Sequence, residues 1–274
     1  MTNIDEPKRH QLDEEGYLIL EDVVTNGDLQ LLQDAFDRVE SETHDAWRQQ
    51  IENSPKKRPY GLGPTAHVVT PVVQHDDLFV DLLEHPATQL FLMSFLGPDV
   101  KMIDNALHSK PAKTPAHTHW HRDAPTWDHE PESWTKEEWS RWSENRGSER
   151  PFLKIKVFFF VHDVGDNTGA FSVLPGSHKR EVEDTPPAGR LEELAGHVKL
   201  TGPAGSVAIW NGRILHTSMD NTDDQARRML LFNYTHFDMP QYEYCVPDQD
   251  LADRIRQQRS PWCRQLMGLE RMPL

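Results

Sequence analysis

Apolar positions recur at helical spacing early in the chain and give way to strand-like runs from about residue 100 onward. Residues Gln11 to Leu20 read as a short helix ended by Gly16 and followed by a strand, because glycine accepts the left-handed conformation that closes a helix. Thr25 is placed to cap a helix through about Glu42, with Leu29, Leu31, Leu32, Ala35, Phe36 and Val39 forming one apolar stripe. Pro86 to Leu96 predicts another helix, stopped by Gly97-Pro98. After it the pattern predicts strands at Val100 to Lys110, Phe152 to Val161, Ala170 to Leu174, Gly205 to Trp210 and Arg227 to Tyr234, with Asn211-Gly212 as a tight turn. Short strands divided by turn residues, with helices toward the first half, predict a mainly β barrel or sandwich flanked by helices.

Two stretches interrupt this pattern. Residues Ser54 to Pro64 form a loop by their proline and glycine content, and Lys56-Lys57-Arg58 within it reads as a solvated loop or as the rim of a pocket for an acidic group. Between residues 124 and 150 lies an insert carrying Trp127, Trp134, Trp139 and Trp142. Thr135 and Glu138 have capping-box spacing, so a helix is expected from there to Gly147. The rings either pin the insert to the barrel or, given its place directly after the His121–Asp123 pair, line a lid over a pocket.

Composition narrows the class. With 274 residues, 36% hydrophobic and 27% charged, the chain is expected to form a single domain, residues 1–274, with the insert as its lid-like addition. No apolar run is long enough to span a membrane, and the first residues lack a secretory pattern, so a cytoplasmic protein is expected. Two cysteines exclude a disulfide framework or a thiolate zinc site. A net charge of −15 argues against broad nucleic-acid binding and leaves room for a small anionic ligand in a locally basic pocket.

The densest chemistry is the run His117-Thr118-His119-Trp120-His121-Arg122-Asp123. On a strand His121 and Asp123 share a face, and His117 and His119 share its parity, whereas Arg122 points away. If the fold returns His216 alongside, two imidazoles and a carboxylate occupy one side of a metal and leave the other open, the ligand set of non-heme Fe(II) oxygenases. His119-x-His121 also allows a cupin-like site, although no glutamate follows at the spacing that pattern requires. A zinc hydrolase is disfavoured, because there is no His-Glu-x-x-His motif.

Further motifs extend the pattern: Asp13-Glu14-Glu15-Gly16-Tyr17-Leu18, Trp120-His121-Arg122-Asp123, Asn167-Thr168-Gly169-Ala170-Phe171 running on to Pro175-Gly176-Ser177-His178, Gly205 to Trp210, and His216-Thr217-Ser218-Met219-Asp220-Asn221 followed by Arg227. In order and spacing the chain resembles the phytanoyl-CoA dioxygenase family of Fe(II)- and 2-oxoglutarate-dependent oxygenases. The resemblance implies a double-stranded β-helix, that is, a jelly-roll, cupin-like barrel. It implies His121, Asp123 and His216 as iron ligands and Arg227 as partner of the cosubstrate's far carboxylate, which a planar guanidinium suits well. Arg228 is the competing candidate. Ser218 matches a position that hydrogen-bonds the cosubstrate, and Phe158 matches one that lines the same pocket or belongs to the core. His178 is expected to order its turn.

The implied reaction consumes 2-oxoglutarate and O2, releases succinate and CO2, and hydroxylates an unactivated C–H of a small organic molecule, with ascorbate as a stimulant. The same cofactors can support desaturation or cyclisation, and a metal-binding barrel without turnover is the rival from another class. Related halogenases replace the carboxylate ligand with a small residue; Asp123 is retained here, which disfavours halogenation. The expected partner is a small-molecule substrate, not nucleic acid or a membrane.

Overall fold

The computed structural model describes residues 5–53, 65–116, 118–123, 154–180, 182, 184–187, 189–239, 241–242 and 245–273. The expected loop 54–64 with its basic trio, the tryptophan-bearing insert with its helix, and His117 lie outside the described residues.

Helix α1 (Glu6–Glu14) ends where Gly16 takes φ +84°. A side chain there would also meet the His178 ring, at 2.4 Å from Nδ1, so glycine is required twice over. The His178 Nε2 in turn lies 3.0 Å from the Asp13 carbonyl, which ties the turn to the end of α1. Strand β1 (Tyr17–Leu20) follows, then helix α2 (Asn26–Asn53). Helix α2 runs well past the expected end at Glu42. The apolar stripe does end at Val39, although Leu31 is exposed and falls outside it. Beyond Val39, Thr43 Oγ1 is 3.0 Å from His67 Nε2 and the Trp47 ring stacks on His67, with centroids 4.9 Å apart. The extension is held by contacts with another element, which periodicity does not register.

The chain continues through β2 (His67–Val69), α3 (Asp77–Asp81), α4 (Pro86–Phe95), β3 (Val100–Lys110), β4 (Lys154–Phe160), β5 (Phe171–Val173), β6 (Val198–Lys199), β7 (Val207–Asn211), β8 (His216–Ser218) and β9 (Arg227–His236). It finishes with α5 (Gln249–Gln258) and α6 (Pro261–Leu266). These two helices extend the sequence reading, although the cap residues Asp248 and Ser260 were there to announce them, each accepting from a backbone N–H of the first turn. One antiparallel sheet has the order β1-β7-β4-β9-β3-β2, and a second has the order β6-β5-β8. Such non-sequential neighbours, all antiparallel, are what a jelly-roll requires.

Burial follows strand parity. On β4 and its end, Ile155, Val157, Phe159 and Val161 join a core with α2, α3, α4 and α6 residues such as Phe36, Phe79, Leu92 and Leu266. Phe158 and Phe160 face the other way, packing with Ala208, Trp210 and Met229 of the large sheet and Phe171 and Val173 of the small one. The large sheet is therefore covered by helices on one side and by the small sheet on the other, and the second interior holds the polar chemistry. No described helix is long and apolar enough to cross a membrane.

Candidate metal and cosubstrate centre

His121 does not lie in a regular strand as parity had suggested; it forms a single bridge with His216. That bridge is reciprocal: each residue's N–H donates to the other's carbonyl, at 3.0 and 2.9 Å. Asp123 is fixed by its own N–H, which donates to the Gly212 carbonyl at 3.2 Å. Gly212 sits in the expected turn, where Arg213 and Ile214 donate back to Asn211.

The side chains are aimed as well. His216 Nδ1 lies 2.9 Å from the Ile214 carbonyl and His121 Nδ1 lies 2.8 Å from the His119 carbonyl. A carbonyl only accepts, so each Nδ1 carries the hydrogen and each neutral ring turns the Nε2 lone pair inward. Nε2 of His121 is 3.3 Å from Asp123 Oδ1, Nε2 of His216 is 3.7 Å from Asp123 Oδ2, and the three donor atoms lie within 4.8 Å of one another. Three acceptors converging this closely repel each other unless a cation sits among them. Here the ammonium of Lys156 takes that part: it donates to Asp123 Oδ2 and lies 3.4 Å from His216 Nε2. The donor set, two imidazoles and a carboxylate without thiolate, fits a divalent iron.

Burial on its own would raise the Asp123 carboxyl, but the Lys156 ammonium, His216, the hydrogen bond with His121 and the Lys154 ammonium together outweigh it and hold Asp123 well below the usual carboxylate range. Burial, reinforced by the Lys156 ammonium, pulls His216 down to about 3, so its ring is neutral and ready to ligate. His119 contributes its carbonyl to orienting His121, and Arg122 donates to the Ser177 and Arg180 carbonyls, the outward structural placement its parity implied.

Deeper in the same interior, Arg227 is fully buried. It donates to the Gly169 carbonyl and, at 3.1 Å, to Ser218 Oγ; Nη2 is 3.1 Å from His108 Nδ1, and the guanidinium lies 4.3 Å from the centre of the Phe171 ring. Its Nε has no hydrogen-bond partner among the described residues. Burial draws the group down to about 9, which leaves it charged at neutral pH. A buried cation with an unsatisfied donor and an adjacent hydroxyl is suited to a carboxylate. Arg228 points to the opposite side of the sheet and pairs with Glu40 on α2, at 2.8 Å. Phe158 packs edge-on against Trp210 and Phe171, with centroids at 4.1 and 5.0 Å, between the Arg227 and His216 ends.

The phytanoyl-CoA dioxygenase (PhyH) family pattern matches residues 12–229, which include every residue of this centre. The chain belongs to this family. Among curated relatives, the L-proline trans-4-hydroxylase of Streptomyces griseoviridis is 29% identical over 58% of this chain and 63% of that protein. A probable alpha-ketoglutarate-dependent hypophosphite dioxygenase of Stutzerimonas stutzeri is 28% identical over 58% of this chain and 50% of its own length. The matched region thus spans about half to two-thirds of these relatives. HygX of Streptomyces hygroscopicus, solved with nickel and 2-oxoglutarate, superimposes with a TM-score of 0.65 over 88% of this chain and 91% of that one, at 11% identity. That likeness establishes the jelly-roll architecture.

Against this PhyH frame, the side chains that sequence reading passed over are Lys154 and Lys156. Both are buried on the inner face of β4, and Lys154 Nζ lies 4.0 Å from Asp123 Oδ2. The signal was present: two lysines at period two within a strand otherwise built of β-branched and aromatic residues. His108 beside Arg227 was likewise one of 15 histidines with nothing local to mark it.

Proposed function

We propose that this PhyH protein is an Fe(II)- and 2-oxoglutarate-dependent dioxygenase that hydroxylates an unactivated C–H of a small organic molecule. The observation that carries the reading is that the His121, Asp123 and His216 donor atoms and the buried Arg227 guanidinium open into one interior, between the two sheets. A metal-binding barrel without turnover would have no use for a buried, partly unsatisfied arginine at that depth.

In this proposal His121, Asp123 and His216 hold the iron, and Arg227 with Ser218 holds the far carboxylate of 2-oxoglutarate. With dioxygen, the bound iron and cosubstrate supply the oxidising power, converting 2-oxoglutarate to succinate and CO2. The protein's own part is positional. The carbonyls of Ile214 and His119 keep both rings in the ligating tautomer, and the His121–His216 bridge keeps the ligand backbones in place. Phe158, Phe171 and Trp210 exclude water from the space between metal and clamp, which strengthens each charge interaction there. Retention of Asp123 leaves no ligand position for a halide, so oxygen insertion is the outcome assigned.

The single-domain reading of residues 1–274 and a cytosolic setting belong to the same proposal. The two cysteines support the latter: both are buried free thiols, raised by burial to about 12 and inert to oxidation. Ascorbate is expected to raise total turnover by keeping iron reduced.

The deciding experiment measures succinate formed from 2-oxoglutarate with Fe(II), ascorbate and a panel of small metabolites, comparing wild type with His216→Ala. Release above background in wild type alone supports the proposal. Equal background in both across the panel removes it.

A further inference from the structure

We propose that Lys154 and Lys156 form an oxyanion subsite beside the metal centre, so that the substrate carries a carboxylate or a phosphorus oxyanion. The inference rests on the oxygenase reading above and names the substrate class for that site.

The two lysines are one strand period apart on the inner face of β4, the face that continues as Phe158 and Phe160. Their stems are packed. A side chain at Gly212 would meet the Cβ, Cγ and Cδ of Lys154 at 2.9 to 3.1 Å, so only glycine leaves room for that stem. Lys156 Nζ lies 5.4 Å from the Phe158 ring centre and 5.6 Å from that of Trp210; Lys154 Nζ lies 5.9 Å from that of Tyr242. Both ammonium groups converge on Asp123.

Charge bookkeeping then identifies what is missing. Once a divalent cation occupies the His121, Asp123 and His216 donors, it takes over the carboxylate that Lys154 and Lys156 share. The metal and Arg227 together match Asp123 and the two carboxylates of 2-oxoglutarate. Lys154 and Lys156 remain, and among the described residues the other carboxylate that acts on Lys156 is Asp104, across the row Asp104–Asn233–Lys156. Asp104 is already engaged, accepting from Asn233 Nδ2 at 2.7 Å and from Cys245 Sγ at 3.6 Å. Buried ammonium groups in excess of their counter-ions are costly, and a strand so rich in Val, Ile and Phe had apolar alternatives at these positions. An anionic substrate group supplies the missing partner and sets the substrate against the open side of the metal.

The test separates substrate from cosubstrate. Wild type, Lys154→Met and Lys156→Met are loaded with Ni(II), checked for 2-oxoglutarate uptake by calorimetry, and then titrated with acetate, methylphosphonate and neutral acetamide while thermal stability is followed. Wild type is expected to saturate with acetate or methylphosphonate, the tighter of the two naming the oxyanion, and to bind acetamide at least tenfold more weakly. Each methionine variant is expected to lose at least tenfold in anion affinity. Equal anion affinity in wild type and variants would mean adventitious ion binding only and overturns the subsite. A tenfold loss of 2-oxoglutarate affinity with anion binding unchanged overturns it too, by giving the lysines to the cosubstrate. Lys154→Gln and Lys156→Gln replace any methionine variant that fails to fold by circular dichroism. If nickel-loaded wild type takes up no 2-oxoglutarate at all, the oxygenase reading itself has failed, and that result is visible before any anion is added.

Discussion

Arg227 and Arg228 are consecutive residues of β9 whose guanidinium groups end on opposite sides of the large sheet, one buried with Ser218 and His108, the other paired with Glu40 on α2. Strand parity forces that divergence. It makes the pair an internal control for the cosubstrate clamp.

Arg227→Met is expected to weaken 2-oxoglutarate binding by about 2–5 kcal/mol, the usual cost of removing one member of a buried hydrogen-bonded charge pair. Metal affinity should stay within a few-fold of wild type. Arg228→Met should leave 2-oxoglutarate affinity unchanged and cost roughly 0–1 kcal/mol of stability, because its ion pair is partly exposed. Calorimetric titration of both variants with metal and cosubstrate checks this; similar 2-oxoglutarate losses in the two would move the clamp away from Arg227.

Ser218→Ala removes one acceptor of Arg227 without touching the metal donors. A lost hydrogen bond to a charged group is worth about 1.5–3 kcal/mol, so the KM for 2-oxoglutarate should rise roughly ten- to a hundredfold while kcat changes little. A fall in kcat with unchanged KM would give Ser218 a different role.

Acid should destabilise the metal-free protein in a defined window. His216 titrates at about 3 when folded against 6.5 as its ordinary value, so between those values the unfolded chain binds the extra proton and stability falls as pH drops. Asp123, depressed below its ordinary 3.8, adds stability above that value and loses it as pH falls further. Denaturation midpoints of wild type and His216→Gln, compared from pH 7 to 4, should show a shallower slope in the variant, by up to one proton or about 1.4 kcal/mol per pH unit. Parallel slopes would place the acid sensitivity elsewhere.

Gly16→Ala tests a position that supplies no side chain to the metal centre. The left-handed backbone costs roughly 1–2 kcal/mol for a residue with a Cβ, and the clash with His178 adds to it. Thermal unfolding should show the loss, and metal binding per folded molecule should be unaffected.

Legibility in the sequence varied with how local the cause was. Strand β3 was readable with its ends, Val100 and Lys110, because β-propensity and flanking Gly-Pro and Pro residues are all local. The Arg227 placement needed parity alone once β9 was recognised. The end of α2 was not readable, since its last turns depend on His67, which arrives from a different element. Strand parity brought His121 and Asp123 together for a reason only half right: the segment is irregular, and what aligns the pair is hydrogen bonding to His216 and Gly212. Lys154 and Lys156 were visible as letters in a strand. Their meaning appeared only when the fold set them facing Asp123.

The reciprocal backbone pair between His121 and His216 means that the metal does not have to assemble its own binding site. A chelating claw that is already closed in the folded chain couples ion uptake weakly to folding, so stripping the ion should leave the scaffold intact and reloadable. The same rigidity offers little discrimination among divalent ions of similar size. Copper and zinc, which outrank iron for nitrogen and oxygen donors, then compete on equal geometric terms, and correct loading becomes a matter of which ion the surroundings make available.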